Sequence, residues 1–281
     1  MVSSMPVHGT SRSPNEPDTV FEGNGGAPPR RREVKKTKLF IVLPAYNEEE
    51  NLGALLEAID NVLQEQNLDY QVIVIDDGSR DHTLRILEQY REQVPLTICR
   101  HELNQGLGPT IRDGLLVASG MAADSDVVIT MDADQSHTPG LIIRMIQMLH
   151  EGHDVVIASR YRRGARVFGV SLFRRCLSYG ASMLFRIVFP TSGVRDYTCG
   201  YRAYRGNVLR RAITVYGDRF VEVSGFQCMI DILLKLRGLD VIFGEVPMVL
   251  RYDLKRGESK MPIFRTIRHS LTLLIRRRLG T

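Results

Sequence analysis

Residues 127–134 read Val127-Val128-Ile129-Thr130-Met131-Asp132-Ala133-Asp134: a short apolar and β-branched run that stops at two carboxylates with one residue between them. A run of this length without polar alternation is the pattern of a strand covered on both faces, as in a parallel sheet. Two carboxylates leaving the carboxyl end of such a strand can turn toward one hard cation, and that cation can hold a diphosphate. An isolated pair would serve equally well to cap the following helix. The neighbouring segments decide between the two.

Upstream, the run at residues 39–43 stops at Pro44, and Asn47-Glu48-Glu49-Glu50 opens a helix whose apolar positions Leu52, Leu55, Leu56, Ile59 and Leu63 recur at three and four. The unit repeats: a strand over 70–75 ends in Asp76-Asp77-Gly78-Ser79 and leads to a helix over 83–90, and a strand over 96–99 leads to a helix over 110–117. The strand at 127–131 leads to a helix over 141–149 and then a strand over 154–158. This alternation predicts an α/β fold, a mostly parallel twisted sheet with helices on both faces and ligands outside the carboxyl ends of its strands. Beyond Arg160 the pattern loosens into a helix over 172–188, a short strand over 201–204, a helix over 224–237 and one or two strands over 241–250 around Pro247. We expect three segments: a disordered basic tail over 1–36, rich in Ser, Pro, Gly, Asn and Arg; one domain over 37–260; and an amphipathic basic helix over 261–281, with Ile263, Ile267, Leu271, Leu274 and Ile275 opposite arginines.

Length and composition agree with one domain: 281 residues, 43% hydrophobic and 25% charged, suffice for a substantial core. The formal charge of +5 comes largely from the ends, Arg30-Arg31-Arg32 and Arg276-Arg277-Arg278. Clustered terminal charge favours a polyanionic surface. No aromatic residues interleave with these arginines, so anionic lipid fits better than nucleic acid. The four cysteines, Cys99, Cys176, Cys199 and Cys228, contain no Cys-x-x-Cys pair and suggest neither zinc nor a disulfide framework, consistent with a reducing cytosol. No stretch approaches the roughly 18 uncharged residues of a bilayer span; residues 172–189 come nearest and are interrupted by Arg174, Arg175 and Arg186. The expected location is cytoplasmic and peripheral on the inner face of the membrane.

The residues after the strands are Pro44-Ala45-Tyr46-Asn47, Asp76-Asp77-Gly78-Ser79, Asn104-Gln105-Gly106-Leu107-Gly108, Asp132-Ala133-Asp134 and Ser159-Arg160-Tyr161. In a doubly wound sheet they meet along one edge as a carboxylate-rich crevice with an arginine beside it. Carboxylates that close repel, so their coexistence favours a bound cation or a hydroxyl-rich ligand over capping. Other phosphate sites fail: Ile111 stands where a dinucleotide fingerprint needs its third glycine, Pro109 removes a backbone donor, and no Gly-Lys-Ser/Thr ending occurs.

The segments Pro44-Ala45-Tyr46-Asn47-Glu48, Val74-Ile75-Asp76-Asp77-Gly78-Ser79, Asp132-Ala133-Asp134-Gln135-Ser136-His137-Thr138-Pro139, Ser159-Arg160-Tyr161, Tyr201-Arg202-Ala203-Tyr204-Arg205 and Gly257-Glu258-Ser259-Lys260 resemble, in order, the family 2 inverting glycosyltransferases of the GT-A fold. Within that family they are most similar to the dolichyl or polyprenyl phosphate mannose synthases. The resemblance implies that Pro44, Tyr46 and Glu48 border the base and ribose of a nucleotide-diphospho-sugar donor and that Asp76 or Asp77 accepts hydrogen bonds from it. It implies that Asp132 and Asp134 face Mg²⁺ or Mn²⁺ at the diphosphate, and that Arg160, Arg202 and Lys260 hold phosphate groups of donor or acceptor, a task that suits the planar guanidinium fork. Structural ion pairing of Arg160 or Arg202 with Asp196 or Glu222 is the competing reading. Asp231 falls where relatives carry a Glu and is the candidate base or acceptor-side acid. Ser136 stands where some relatives carry a Gln that reaches the metal. His137 reads as structural, since hard cations seldom choose imidazole.

The implied reaction is transfer of a hexose, mannose from GDP-mannose, onto a polyprenyl phosphate, with an anionic membrane surface and a membrane-anchoring protein as compatible partners. Alternatives are glucose or an N-acetylhexosamine from a UDP-sugar, passed to a lipid phosphate or a soluble glycan, and a non-catalytic nucleotide-sugar-binding partner. The chain has no tryptophan, hence no Gln-x-x-Arg-Trp element, which argues against chain polymerisation.

Overall fold

The computed structural model describes residues 37–256 and Thr272. The expected tail over 1–36, Lys260, and all of the expected helix over 261–281 except Thr272 lie outside the described residues.

The chain runs β1 (Lys38–Ala45), α1 (Leu52–Glu65), β2 (Asp69–Asp76), α2 (Thr83–Tyr90), β3 (Leu96–Arg100), α3 (Leu107–Met121), β4 (Val127–Thr130), α4 (Leu141–His150) and β5 (Val155–Ser159). It continues through β6 (Arg166–Phe168), α5 (Leu172–Val188), β7 (Arg202–Arg205), α6 (Gly206–Tyr216), α7 (Cys228–Arg237), β8 (Phe243–Pro247) and β9 (Val249–Arg251). Seven strands form one sheet in the order β3-β2-β1-β4-β7-β5-β8. All are parallel except β7, which lies antiparallel between β4 and β5. The two short strands β6 and β9 pair in parallel as a separate ribbon.

The expected strand–helix alternation holds up to β5, and its physical basis is visible in burial. In α1 the buried residues are Leu52, Leu55, Leu56, Ile59 and Leu63, the positions that the three–four spacing picks out. Removing each such side chain from water contributes about 1.5–3 kcal/mol before chain entropy is counted. Every residue of β4 is buried, as a two-sided strand must be. Beyond β5 the differences are larger. The antiparallel course of β7, the three-residue β6 and the helix α6 were not anticipated, and α7 starts at Cys228 rather than 224 because the chain turns at Gly225.

The strand order reverses direction between β1 and β4, which makes that junction the switch point where the sheet opens. Pairing of β4 with β1 ends at Thr130 opposite Val42, so Pro44 lies beyond the last shared residue. At the edge of the opening Gly78 has φ +69°, and a Cβ there would lie 2.7 Å from the Leu103 carbonyl carbon. The left-handed turn and the absent side chain together let the loop after β3 rest on the turn after β2.

Candidate active site

The loop after β1 is stitched to the turn after β2: Asn47 N donates to Ser79 Oγ (2.9 Å) and Glu48 N donates to Thr83 Oγ1 (2.8 Å). This holds Pro44, Tyr46 and Glu48 on the wall of a cavity of about 880 Å³. Asp77 lines the same wall and accepts from His101 Nδ1 (2.7 Å), Gln105 N (2.9 Å) and Gly106 N (2.8 Å). Its carboxylate therefore shapes the loop over 104–106 as well as facing the cavity. Asp76 lies behind it, fully buried, with Oδ1 accepting from Ser79 N (3.0 Å) and Arg100 Nε 3.4 Å from Oδ2. Of the two carboxylates expected near the base, only Asp77 lines the cavity among the described residues.

Asp132 and Asp134 both line the cavity at the end of β4. Asp134 Oδ1 accepts from Ser136 N (3.1 Å) and Ser136 Oγ (2.6 Å), and its Oδ2 is 2.6 Å from Lys255 Nζ. Burial opposes ionisation of Asp134, but Lys255 and the Ser136 hydroxyl more than offset it and hold its pKa below the ordinary carboxylate value. The Asp132 side chain, 46% exposed, faces the cavity and is flanked closely enough by protein to lose part of its solvation. That loss of solvation raises its pKa, reinforced by the like charge of Asp134 and opposed by the Lys255 and Arg160 cations. His137 Nδ1 accepts from Asp132 N (3.0 Å), which puts the ring proton on Nε2, 3.6 Å from Asp132 Oδ2. The ring stacks on Tyr201 at 5.0 Å, so His137 is a strut for the loop, as its residue type suggested.

The donor set suits a hard cation: two carboxylates facing one cavity. No third Asp, Glu, His or Cys completes a shell among the described residues. Ser136 is committed to Asp134, and Gln135, at φ +61°, turns away to donate to the Asn51 carbonyl (2.9 Å). Asp132 and Asp134 thus fit Mg²⁺ or Mn²⁺ as a partial site.

Arg160 reaches the cavity from the end of β5, and it is also paired. Its Nε and Nη2 donate to Asp196 Oδ2 (2.8 Å) and Oδ1 (2.7 Å), and Nη2 also donates to Thr198 Oγ1 (2.5 Å). The structural ion pair and the cavity position coexist in one residue.

The structure does not bring Arg202 and Asp231 to the cavity. Arg202, 1% exposed, donates to three carbonyls: Cys199 (2.9 Å), Met229 (2.6 Å) and Tyr197 (2.9 Å). It braces the loop that carries Thr198, Cys199 and Gly200 to the cavity, and does not itself face a phosphate. Asp231 is fully buried on α7 and pairs with Lys235 Nζ at 2.9 Å, one turn along the helix. Neither residue is placed to touch a substrate. Sequence reasoning missed Lys255 and the far flank of the cavity, where Val167 and Val170, Leu172, Arg174, Arg175 and Cys176, and Leu250 and Tyr252 converge. The only available signal for that flank was the arginine-interrupted apolar run at residues 172–189.

The site is thus a switch-point cavity with a carboxylate pair and an ion-paired arginine. The model of the family described as glycosyl transferase family 2 matches residues 40–212, and the chain belongs to that family. It is 34% identical over 243 residues to the dolichol-phosphate mannosyltransferase of Pyrococcus furiosus, a match covering 84% of this chain and 64% of that enzyme. The chain thus spans less than two thirds of that relative's length. It is 31% identical over 242 residues to the uncharacterized protein MJ1222 of Methanocaldococcus jannaschii, covering 84% of this chain and 91% of that protein. Among solved structures, glucosyl-3-phosphoglycerate synthase of Mycobacterium tuberculosis in complex with Mn²⁺, UDP and glucosyl-3-phosphoglycerate superposes with a TM-score of 0.61 at 21% identity, over 88% of this chain and 81% of that one. The same enzyme is also solved with Mg²⁺ and UDP. The likeness shows the GT-A fold.

Proposed function

We propose that this glycosyltransferase moves a hexose, mannose from GDP-mannose, onto a polyprenyl phosphate at a membrane face, with inversion. The observation that carries the reading is one cavity with two unlike flanks. Asp132, Asp134 and Arg160 supply a mixed-charge side, and α5 supplies Leu172 and Cys176 together with the two arginines Arg174 and Arg175 on the other. Outward, α5 exposes Leu172 (74%), Phe173 (62%) and Ile187 (67%) beside Arg174, Arg175 and Arg186. An apolar face rimmed by arginines suits a bilayer interface, and it would bring a lipid-linked phosphate to the cavity. The acceptor class and the donor follow the Pyrococcus relative.

In this reading Pro44, Tyr46, Glu48 and Asp77 seat the nucleoside. Asp132 and Asp134 would hold Mg²⁺ or Mn²⁺, which when bound would compensate the charge that develops on the leaving diphosphate. Arg160, fixed by Asp196, offers its remaining donor face to a phosphate. A phosphate monoester oxygen is already anionic at neutral pH, so it can attack the anomeric carbon as the bond to the diphosphate breaks, and the chain need not supply a strong base. The burial of Asp231 is compatible with that economy.

The test is a radiolabelled transfer assay offering GDP-mannose, UDP-glucose and UDP-N-acetylglucosamine to polyprenyl phosphate, with Mn²⁺ or with chelator. Transfer from GDP-mannose that requires the metal supports the proposal. Preference for a UDP-sugar would replace the donor, and undiminished activity in chelator would remove the metal.

A further inference from the structure

One of the two carboxylates that would receive a divalent ion already has a cation. Lys255 Nζ lies 2.6 Å from Asp134 Oδ2, and the two side chains are only 12% and 11% exposed. The other oxygen of Asp134 takes both donors of Ser136. An exposed lysine–carboxylate pair would mean little, but this one lies within the cavity that both residues line.

The backbone on either side of Lys255 is fixed independently of that pair. Arg251 N donates to the Ser136 carbonyl (2.9 Å). Asn51 clasps Arg256 from both directions, Oδ1 accepting from its N–H (3.0 Å) and Nδ2 donating to its carbonyl (3.1 Å). The same Nδ2 donates to Glu48 Oε2 (2.8 Å). A chain held at both ends delivers the ammonium to Asp134, 5.4 Å from the centroid of the Tyr252 ring, while the flexible lysine stem can swing it away without moving the backbone. A divalent ion and an ammonium cannot share one carboxylate oxygen at bonding distance without strong repulsion.

We propose that Lys255 is a resident cation of the Asp134 site, one that a divalent ion displaces, so that metal enters together with the nucleoside diphosphate rather than ahead of it. The inference rests on the metal-site reading above. A nucleoside diphosphate gives the displaced ammonium a new anionic partner inside the same cavity, so exchange costs least when metal and diphosphate arrive together. Lys255 thereby couples cation binding to donor binding and then serves as a phosphate-positioning residue.

The experiment is a Mn²⁺ titration followed by electron paramagnetic resonance of the free ion, on wild type, Lys255→Met, Lys255→Gln and Asp134→Asn, alone and with GDP or UDP. Thermal unfolding identifies which lysine variant is folded. In wild type, Mn²⁺ affinity rises sharply when nucleotide is added. Without nucleotide, a folded Lys255 variant binds Mn²⁺ roughly tenfold more tightly than wild type, as expected for removal of one competing unit charge, and gains less from nucleotide. If it binds Mn²⁺ no better than wild type while Asp134→Asn abolishes binding, the exchange is wrong and the metal site stands. If no form takes up Mn²⁺ even with nucleotide, both fall.

Discussion

Arg160 and Asp196 meet at two points, Nε to Oδ2 at 2.8 Å and Nη2 to Oδ1 at 2.7 Å, and the Arg160 backbone N–H adds a third bond to Oδ2 at 3.0 Å. Burial opposes the charge on Asp196, but Arg160 more than offsets it and holds the carboxyl below its ordinary pKa. A depressed carboxylate contributes stability that is fully present above its unfolded pKa, about 4, and is lost as pH falls through the lower folded value. Asp196→Asn should therefore lower stability at pH 7 by on the order of 3 kcal/mol, leaving a guanidinium partly buried and unpaired. It should also flatten the acid limb of stability below pH about 4. Urea unfolding from pH 2 to pH 7 measures both. An unchanged acid limb would show that the pair does not couple to folding.

What was legible in the sequence was local. The strand ends at Asp77, Asp132 and Arg160 announce themselves because a short apolar run followed by polar residues depends only on neighbours along the chain, and all three line the cavity. Arg202 and Asp231 failed as cavity residues because their partners are remote or buried. The antiparallel β7 turns Arg202 onto carbonyls of Tyr197 and Met229, and α7 packs Asp231 inward against Lys235. Lys255 was invisible because the chain crosses 121 residues to reach Asp134, and no period or motif marks it.

The contrast between Arg202 and Asp231 is measurable. Arg202→Met strands three buried carbonyls, each worth about 1 kcal/mol or more, so unfolding free energy should drop by about 3 kcal/mol and activity should fall with the folded fraction. Asp231→Asn keeps the shape beside Lys235, so kcat per folded molecule should change less than about threefold, far short of the loss expected for a general base. A loss of kcat approaching a hundredfold, with a pH profile displaced, would restore Asp231 as a catalytic group.

Asp132→Asn and Asp134→Ala should each reduce transfer by about a hundredfold or more, the scale for loss of electrostatic support to a leaving group. Melting temperatures should separate them. Asp134→Ala also strands Lys255 and frees Ser136, whereas Asp132→Asn leaves those contacts intact, so the second variant should be the more stable of the two. Differential scanning calorimetry, paired with the transfer assay under saturating Mn²⁺, reads both effects.

The helix α5 allows the proposed membrane contact to be tested apart from the chemistry. Phe173 and Ile187 are among its exposed apolar residues, 62% and 67% accessible, and neither lines the cavity. Phe173→Glu and Ile187→Glu should therefore fold normally and leave nucleotide binding unchanged. At an interface, however, each places a charge where an apolar side chain would insert among headgroups. Retention on vesicles containing anionic lipid should fall by roughly tenfold per substitution, and transfer to a long-chain polyprenyl phosphate should fall with it. Transfer to a short, water-soluble prenyl phosphate should persist. Raising ionic strength should weaken wild-type retention, because Arg174, Arg175 and Arg186 would hold the same face to anionic headgroups through screened charge. Vesicle sedimentation at low and high salt, run beside the two transfer assays, distinguishes the cases. Equal loss with both acceptors would mean that α5 supports the catalytic domain rather than a bilayer contact, and retention indifferent to salt would remove the arginines from the interface.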